Sequence, residues 1–148
     1  MYRNILVATD GSDLAARGVE QAVALAADLH ARLVVLTASE PWHTGLGDPM
    51  AMGASAELLD DYRNGCKEAA DEALGAAAAL AQSRDVSVET VYLPERPPAD
   101  AILETASAQG CDLIVMASHG RSGLGRLLLG SQTQAVLTRS TLPVLVVR

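Results

Sequence analysis

The residues best suited to chemistry in this sequence are the glycines and arginines that follow an apolar run at residues 113–117. Gly120 and Arg121 come directly after that run, and Gly130-Ser131 stands where a helix is expected to begin. Glycine lets a backbone approach a ligand closely, and the free N–H groups at a helix N-terminus bind anions. The spacing therefore predicts a turn that holds a phosphate.

The distribution of charge favours the same interpretation. The chain has a net charge of −7, yet residues 113–148 contain no Asp or Glu and four Arg. The first 112 residues hold 18 acidic and 7 basic residues, a balance of −11, and the last 36 residues carry +4. The acidic balance argues against a nucleic acid partner, because affinity for DNA rests on basic charge. The basic, glycine-rich region is instead expected to bind a small anion.

A lone carboxylate, Asp10, follows the first apolar run of the chain. Beside phosphates it could hold Mg²⁺, directly or through water. The alternative is a structural role, in which Asp10 caps the helix that starts at Ser12. His30 and His43 do not have the spacing of metal ligands, and the sequence contains no Ser/His/Asp or Cys/His set that indicates catalysis.

Three better-known phosphate-binding patterns are excluded. The glycine-rich turn is not a Walker A loop, because no Gly-Lys-Ser/Thr follows it, and a Rossmann fingerprint would follow the first strand. A phosphoacceptor response regulator would need an acidic pair after the first strand and a lysine after the fourth. The only lysine is Lys67, which falls in the second predicted helix.

Five apolar runs of strand length alternate with four helical patterns. The strands are predicted at residues 5–9, 33–38, 86–93, 113–117 and 143–147, and the third alternates in the manner of an edge strand. The helices are predicted from Ser12 or Asp13 to about His30, at residues 56–83 and 98–109, and from Ser131 to Ser140. This order predicts right-handed crossovers and an open, doubly wound parallel sheet with helices on both faces.

The length of 148 residues predicts a single domain over residues 1–148. No apolar stretch reaches the ~20 residues that a membrane span needs, and no signal peptide precedes the first strand. Cys66 and Cys111 stand far apart, which predicts free, buried thiols and a cytoplasmic location. Residues 40–55, rich in Gly and Pro, predict a long loop, which either has a function, as such loops often do, or is a tolerated insertion.

These motifs together resemble the universal stress protein family over essentially the whole chain. The resemblance rests on Ile-Leu-Val-Ala-Thr-Asp-Gly-Ser at residues 5–12, Pro98, Ala-Ser-His-Gly at residues 117–120, Gly130-Ser131 and the closing Pro-Val-Leu-Val-Val. The nucleotide-binding branch of the family has the pattern Gly-x2-Gly-x9-Gly-Ser/Thr. Gly120, nine residues and Gly130-Ser131 match it, whereas Ala117 replaces the first glycine.

The resemblance implies a sheet of strand order 3-2-1-4-5. The first and fourth strands are then neighbours whose helices go to opposite faces, which makes the topological switch point where such sheets bind ligands. It also implies an adenine nucleotide, ATP, bound with Mg²⁺. The implied nucleotide-binding residues are Ala8, Thr9, Asp10, Ala38, Met116, Ala117, Gly120, Arg121, Gly130, Ser131 and Gln132, with Asp10 also the metal ligand.

In function, the resemblance implies an ATP-binding regulatory or stress-response protein with at most slow ATP hydrolysis. His119 lies inside the motif, but the family uses this turn for binding rather than catalysis. Relatives dimerise through the last strand, so a homodimer is expected, and a further protein partner is possible. The alternative is a non-nucleotide interaction protein of the same fold. Ala117 favours that alternative, and Gly120, Gly130 and Ser131 argue against it.

Overall fold

The computed structural model describes residues 1–42, 53, 55–120 and 128–148. Strands and helices alternate along these residues in the predicted order. The strands are β1 Asn4–Ala8, β2 Arg32–Ala38, β3 Val88–Leu93, β4 Leu113–Ala117 and β5 Val144–Val147. The helices are α1 Asp13–Leu29, α2 Ala56–Gln82, α3 Pro98–Ala108 and α4 Ser131–Arg139.

All the strand pairs are parallel, and the sheet has the order β3-β2-β1-β4-β5. This confirms the predicted sheet and its strand order. β3 lies at one edge, as its alternating sequence predicted, and β5 lies at the other. The three central strands are apolar and almost fully buried, because helices cover both of their faces.

Two apolar clusters fill the space between the sheet and the helices. One cluster packs α1 and α2 on one face, through residues such as Val23 and Leu74. The other packs α3 and α4 on the opposite face, through residues such as Ile102 and Val136. The crossovers therefore place α1 and α2 on one side of the sheet and α3 and α4 on the other.

Local sequence signals set most helix ends within a residue or two of their predicted positions. Ser12 caps α1, where its hydroxyl accepts a hydrogen bond from the Ala15 N–H. One packing prediction was wrong. The apolar pair Val136-Leu137 in the fourth helix predicts that both residues face inward, but Val136 is buried and Leu137 is 40% exposed. Consecutive helical residues point about 100° apart, and α4 turns its Val136 side toward the sheet and its Leu137 side toward solvent.

Within the described residues, no helix is long and apolar enough to cross a membrane. Both cysteines are free thiols, as predicted, but Cys66 is only half-buried. Cys111 is buried, and burial raises the pKa of its thiol to about 11. That thiol therefore stays protonated at neutral pH, in keeping with a packing role.

Candidate functional site

The site begins where β1 and β4 separate. The two strands are paired as far as Val7 and Val115. Beyond that point Ala8 pairs with Leu36 of β2, while Met116 pairs with Val146 of β5. A crevice therefore opens at the carboxyl ends of the two central strands, which is the topological switch point of an open α/β sheet.

A cavity of about 650 Å³ occupies this crevice. Ten of the eleven residues predicted to bind the nucleotide lie along its wall: Ala8, Thr9, Asp10, Ala38, Met116, Ala117, Gly120, Gly130, Ser131 and Gln132. The remaining residue, Arg121, lies outside the described residues, as does most of the predicted loop at 40–55. The structure thus brings the ten together, and their part in binding stays a prediction.

Asp10 has a position fixed by its own turn. Its Oδ1 atom accepts a hydrogen bond of 2.9 Å from the backbone N–H of Ser12, the residue that caps α1. The structural role considered for Asp10 is therefore present, as a turn that leads into the cap. This structural role is compatible with ligand binding by Asp10 as well, because a carboxylate has two oxygens and several acceptor positions.

Gly120 lies directly against the other oxygen of Asp10. A Cβ atom added to Gly120 would stand 2.5 Å from Asp10 Oδ2, much closer than nonbonded atoms approach. Backbone strain is not the reason for the glycine, and any side chain at position 120 would force the Asp10 carboxylate to shift. The backbone at Gly120 and the Asp10 carboxylate consequently meet at one edge of the cavity.

Gly130 brings the start of α4 close to the end of β4. Its N–H donates a 2.7 Å hydrogen bond to the Ser118 carbonyl, and an added Cβ would lie 3.1 Å from His119 Cα. α4 begins at Ser131, and its first backbone N–H groups have no carbonyl of their own helix to bind. With the helix dipole, these groups form a site of positive potential at the cavity wall.

Ala117, which departs from the family pattern, fits its place without strain. It is the last residue of β4, it is 8% exposed, and its carbonyl accepts a 2.9 Å hydrogen bond from Thr133 Oγ1. It is not among the described non-glycine residues with positive φ. A glycine is therefore not needed here for backbone reasons, and the Ala117 methyl group only narrows the cavity.

Sequence reasoning missed one wall of the cavity, which α2 supplies. The apolar spacing of the second helix predicts that Tyr62 and Cys66 belong to its packing stripe, yet both line the cavity. The Tyr62 hydroxyl donates to the Glu40 carbonyl at 2.7 Å, and its ring meets Trp42 edge to face. Burial, with contacts to Cys66, raises the pKa of Tyr62 to about 12. The i, i+4 spacing of Tyr62 and Cys66 is visible in the sequence, but the same spacing is equally typical of a helix face that packs against a core.

The arrangement offers little to support catalysis. Nδ1 of His119 is 3.1 Å from the hydroxyl of Ser118, which is buried. Among the described residues, no group of three or more His, Cys, Asp or Glu is arranged to hold a metal ion. The polar features of the cavity wall are thus the start of α4 and the Asp10 carboxylate.

Similarity to known proteins agrees with this architecture. The model of the universal stress protein family matches residues 1–148. A universal stress protein of Thermus aquaticus, encoded in the QAH/OAS sulfhydrylase 3′ region, is 39% identical over 148 residues, all of both chains.

Solved structures extend the similarity. The structure of hypothetical protein MJ0577, a universal stress protein of Methanocaldococcus jannaschii, is 26% identical with a TM-score of 0.81, covering 99% of this chain and 96% of that one. A universal stress protein crystallised in complex with cAMP is 28% identical with a TM-score of 0.72, over 99% and 97% of the two chains. The full-length matches in sequence and structure lead to one conclusion: this chain belongs to the universal stress protein family.

Proposed function

We propose that this protein binds an adenine nucleotide, ATP with Mg²⁺, and acts as a regulatory or stress-response module. The observation that carries the proposal is the cavity at the β1–β4 boundary. The N-terminus of α4 and the Asp10 carboxylate both face this cavity, so phosphates and a cation would have adjoining positions.

The cavity is also the right size and character for a nucleotide. Its volume of about 650 Å³ falls within the range of small-molecule sites. Ala8, Ala38 and Met116 provide apolar surface for the base, and Ser131 lies at the start of α4 for the phosphates. The relative crystallised with cAMP supports an adenine nucleotide over other anions.

The residues beside Asp10 fit a magnesium ion held mainly by the nucleotide. Asp10 would supply one carboxylate, and phosphate oxygens and water would supply the other ligands, which is how Mg²⁺ is commonly bound beside phosphates. The hydrogen bond from the Ser12 N–H holds that carboxylate in place. Bound Mg²⁺ would neutralise phosphate charge near Asp10.

A binding role fits the site better than an enzymatic one. His119 contacts only Ser118 by a hydrogen bond in the described part of the chain, so it has no acidic residue to orient it as a general base. At most slow hydrolysis of ATP is expected. The second candidate, an interaction protein that binds no nucleotide, is favoured by Ala117, whose methyl group narrows the cavity.

Calorimetry with purified protein tests the proposal. With millimolar Mg²⁺, titration with ATP is expected to release or absorb measurable heat, and GTP is expected to bind more weakly. Parallel titrations with cAMP, AMP and adenosine would show how many phosphates the site prefers. No binding of any adenine compound would favour the interaction-protein alternative.

Gly120→Ala is expected to weaken the binding of Mg·ATP about fivefold, ~1 kcal/mol, because the new methyl group displaces the Asp10 carboxylate. The measurement is calorimetry with and without Mg²⁺, and the loss should be larger with the ion. Gly75→Ala is the matched control, since a Cβ there meets nothing within 4 Å. Equal affinity for Mg·ATP in Gly120→Ala and wild type would show that Asp10 does not bind the metal ion.

We also propose a cytoplasmic homodimer formed through β5. Free thiols at Cys66 and Cys111 suit a reducing compartment. β5 lies at the sheet edge, and Leu145 within it is 41% exposed. An apolar edge strand is a template for pairing with another chain, and a two-fold axis would let two copies of β5 cover each other.

A further inference from the structure

A second cavity lies between the start of α1 and the ends of β4 and β5. Its volume of about 480 Å³ falls within the range of small-molecule sites. Asp13, Leu14 and Arg17 of α1 form one side of it, and Arg148, which follows β5, forms another. None of these four residues lines the cavity at the β1–β4 boundary. The second cavity is therefore a separate space with its own charged residues.

The two arginines of the second cavity have no ionic partner in the part of the chain that the structure describes. All the ion pairs there join other side chains, and neither guanidinium group makes a hydrogen bond. Asp13 precedes Arg17 by four residues, a helical spacing that often forms an ion pair, yet these two side chains do not pair. Both arginines are exposed, so their N–H donors are available to a ligand.

The charges around the second cavity favour an anion with one negative charge. Arg17 and Arg148 contribute two positive charges, and Asp13 is the only acidic residue among the described residues that line the space. One positive charge is therefore left over, in a chain whose net charge is −7. A carboxylate matches this surplus, and it pairs with guanidinium groups through two parallel hydrogen bonds. A nucleoside triphosphate, with several negative charges, matches it less well.

Leucines give the second cavity an apolar lining. Leu14 is half-buried, Leu128 is 69% exposed and Leu129 is 36% exposed, and all three line the space. An apolar group placed against them would remove this surface from water, which is favourable. The cavity therefore suits a ligand that combines an anionic head with an aliphatic chain.

We propose that the second cavity binds an aliphatic monocarboxylate, whose carboxylate is held by Arg17 and Arg148 and whose chain covers Leu128 and Leu129. This site goes beyond the proposed nucleotide function and does not depend on it. The ligand is recognised by one negative charge and an apolar body together, so neither feature alone is sufficient.

The two cavities share a wall, which couples them. His119, Leu128 and Leu129 line both spaces. The hydrogen bond of 2.7 Å from the Gly130 N–H to the Ser118 carbonyl joins this wall to the start of α4. A ligand in the second cavity is therefore expected to change the affinity for a nucleotide. By linkage, the nucleotide changes the affinity for the carboxylate by the same factor.

Calorimetric titration with octanoate tests the site. Arg17→Gln and Arg148→Gln should each lower octanoate affinity about tenfold, because each removes a charged partner of the carboxylate. Both residues are exposed, so the melting temperatures should stay close to that of wild type. Arg84→Gln is the matched control, since Arg84 is exposed and lines neither cavity, and it should leave octanoate affinity unchanged.

Two further ligands test the two recognition features separately. Butyrate keeps the carboxylate but has four fewer methylene groups, and it should bind at least about tenfold more weakly than octanoate. Octylamine keeps the chain but carries the opposite charge, and it should not bind. Equal binding of octylamine and octanoate would refute the site, as would wild-type octanoate affinity in both arginine variants or no octanoate binding by the wild-type protein.

ATP distinguishes the second cavity from the proposed nucleotide site. Saturating ATP should change octanoate affinity by a fixed factor, and octanoate should change ATP affinity by that same factor. An octanoate affinity that keeps falling as the ATP concentration rises would place both ligands in one cavity and overturn the inference. Octanoate binding in a protein that binds no adenine compound would refute only the proposed nucleotide function.

Discussion

Gly130→Val is expected to lower the affinity for ATP at least about tenfold, or more than ~1.4 kcal/mol. Gly130 lies where α4 begins beside the end of β4, and an added Cβ would already be 3.1 Å from His119 Cα. The two further methyl groups of valine would force α4 away from β4 or project into the cavity. Either change moves the N–H groups at the start of α4 away from the phosphates. Calorimetry with Mg·ATP measures the loss.

Stability must be followed in the same variant, because the contact with His119 is with backbone. A cost of about 1–3 kcal/mol in the free energy of unfolding is expected from such overpacking. Gly75→Val, on the exposed side of α2 where a Cβ meets nothing within 4 Å, controls for placing valine in a helical protein. If a folded Gly130→Val protein binds ATP as wild type does, the start of α4 is not the phosphate site.

Val146→Lys is expected to convert a homodimer into a monomer. Val146 lies in the middle of β5, where it pairs with Met116 on one side, and β5 forms the edge of the sheet on the other. A charge in the middle of a seam between two β5 strands would have to be buried without a partner. Light scattering at concentrations on the order of tens of micromolar should report the change in mass.

A second variant distinguishes loss of the dimer from misfolding, which Val146→Lys could also cause because Val146 is half-buried. Leu145→Lys places the same charge on a residue that is 41% exposed, so the fold should tolerate it while the dimer is lost. Monomeric wild-type protein in the same measurement would rule out the dimer. Dimers that persist in both folded variants would place the interface on another surface.

The sequence by itself determined the elements and their order. Apolar runs such as residues 113–117 and caps such as Ser12 act over a few residues, so strands and helices could be predicted within one or two residues of their ends. The strand order followed from the family resemblance, and the sheet confirmed it. The candidate site residues were also implied by the resemblance. Ten of them lie along one cavity, because the carboxyl ends of parallel strands converge at the switch point.

Which side chains meet across the site was decided by the tertiary structure. Gly120 lies beside the Asp10 carboxylate although 110 positions of sequence separate them, and the hydrogen bond from the Ala99 N–H to Gln132 Oε1 spans 33. Neither has a local signal, because each depends on where packing places two separate elements. The surroundings of Tyr62 and Leu137 could not be predicted from the sequence either. An apolar helical stripe predicts that a face is buried, but only the packed sheet determines whether a residue contacts the core, the cavity or solvent.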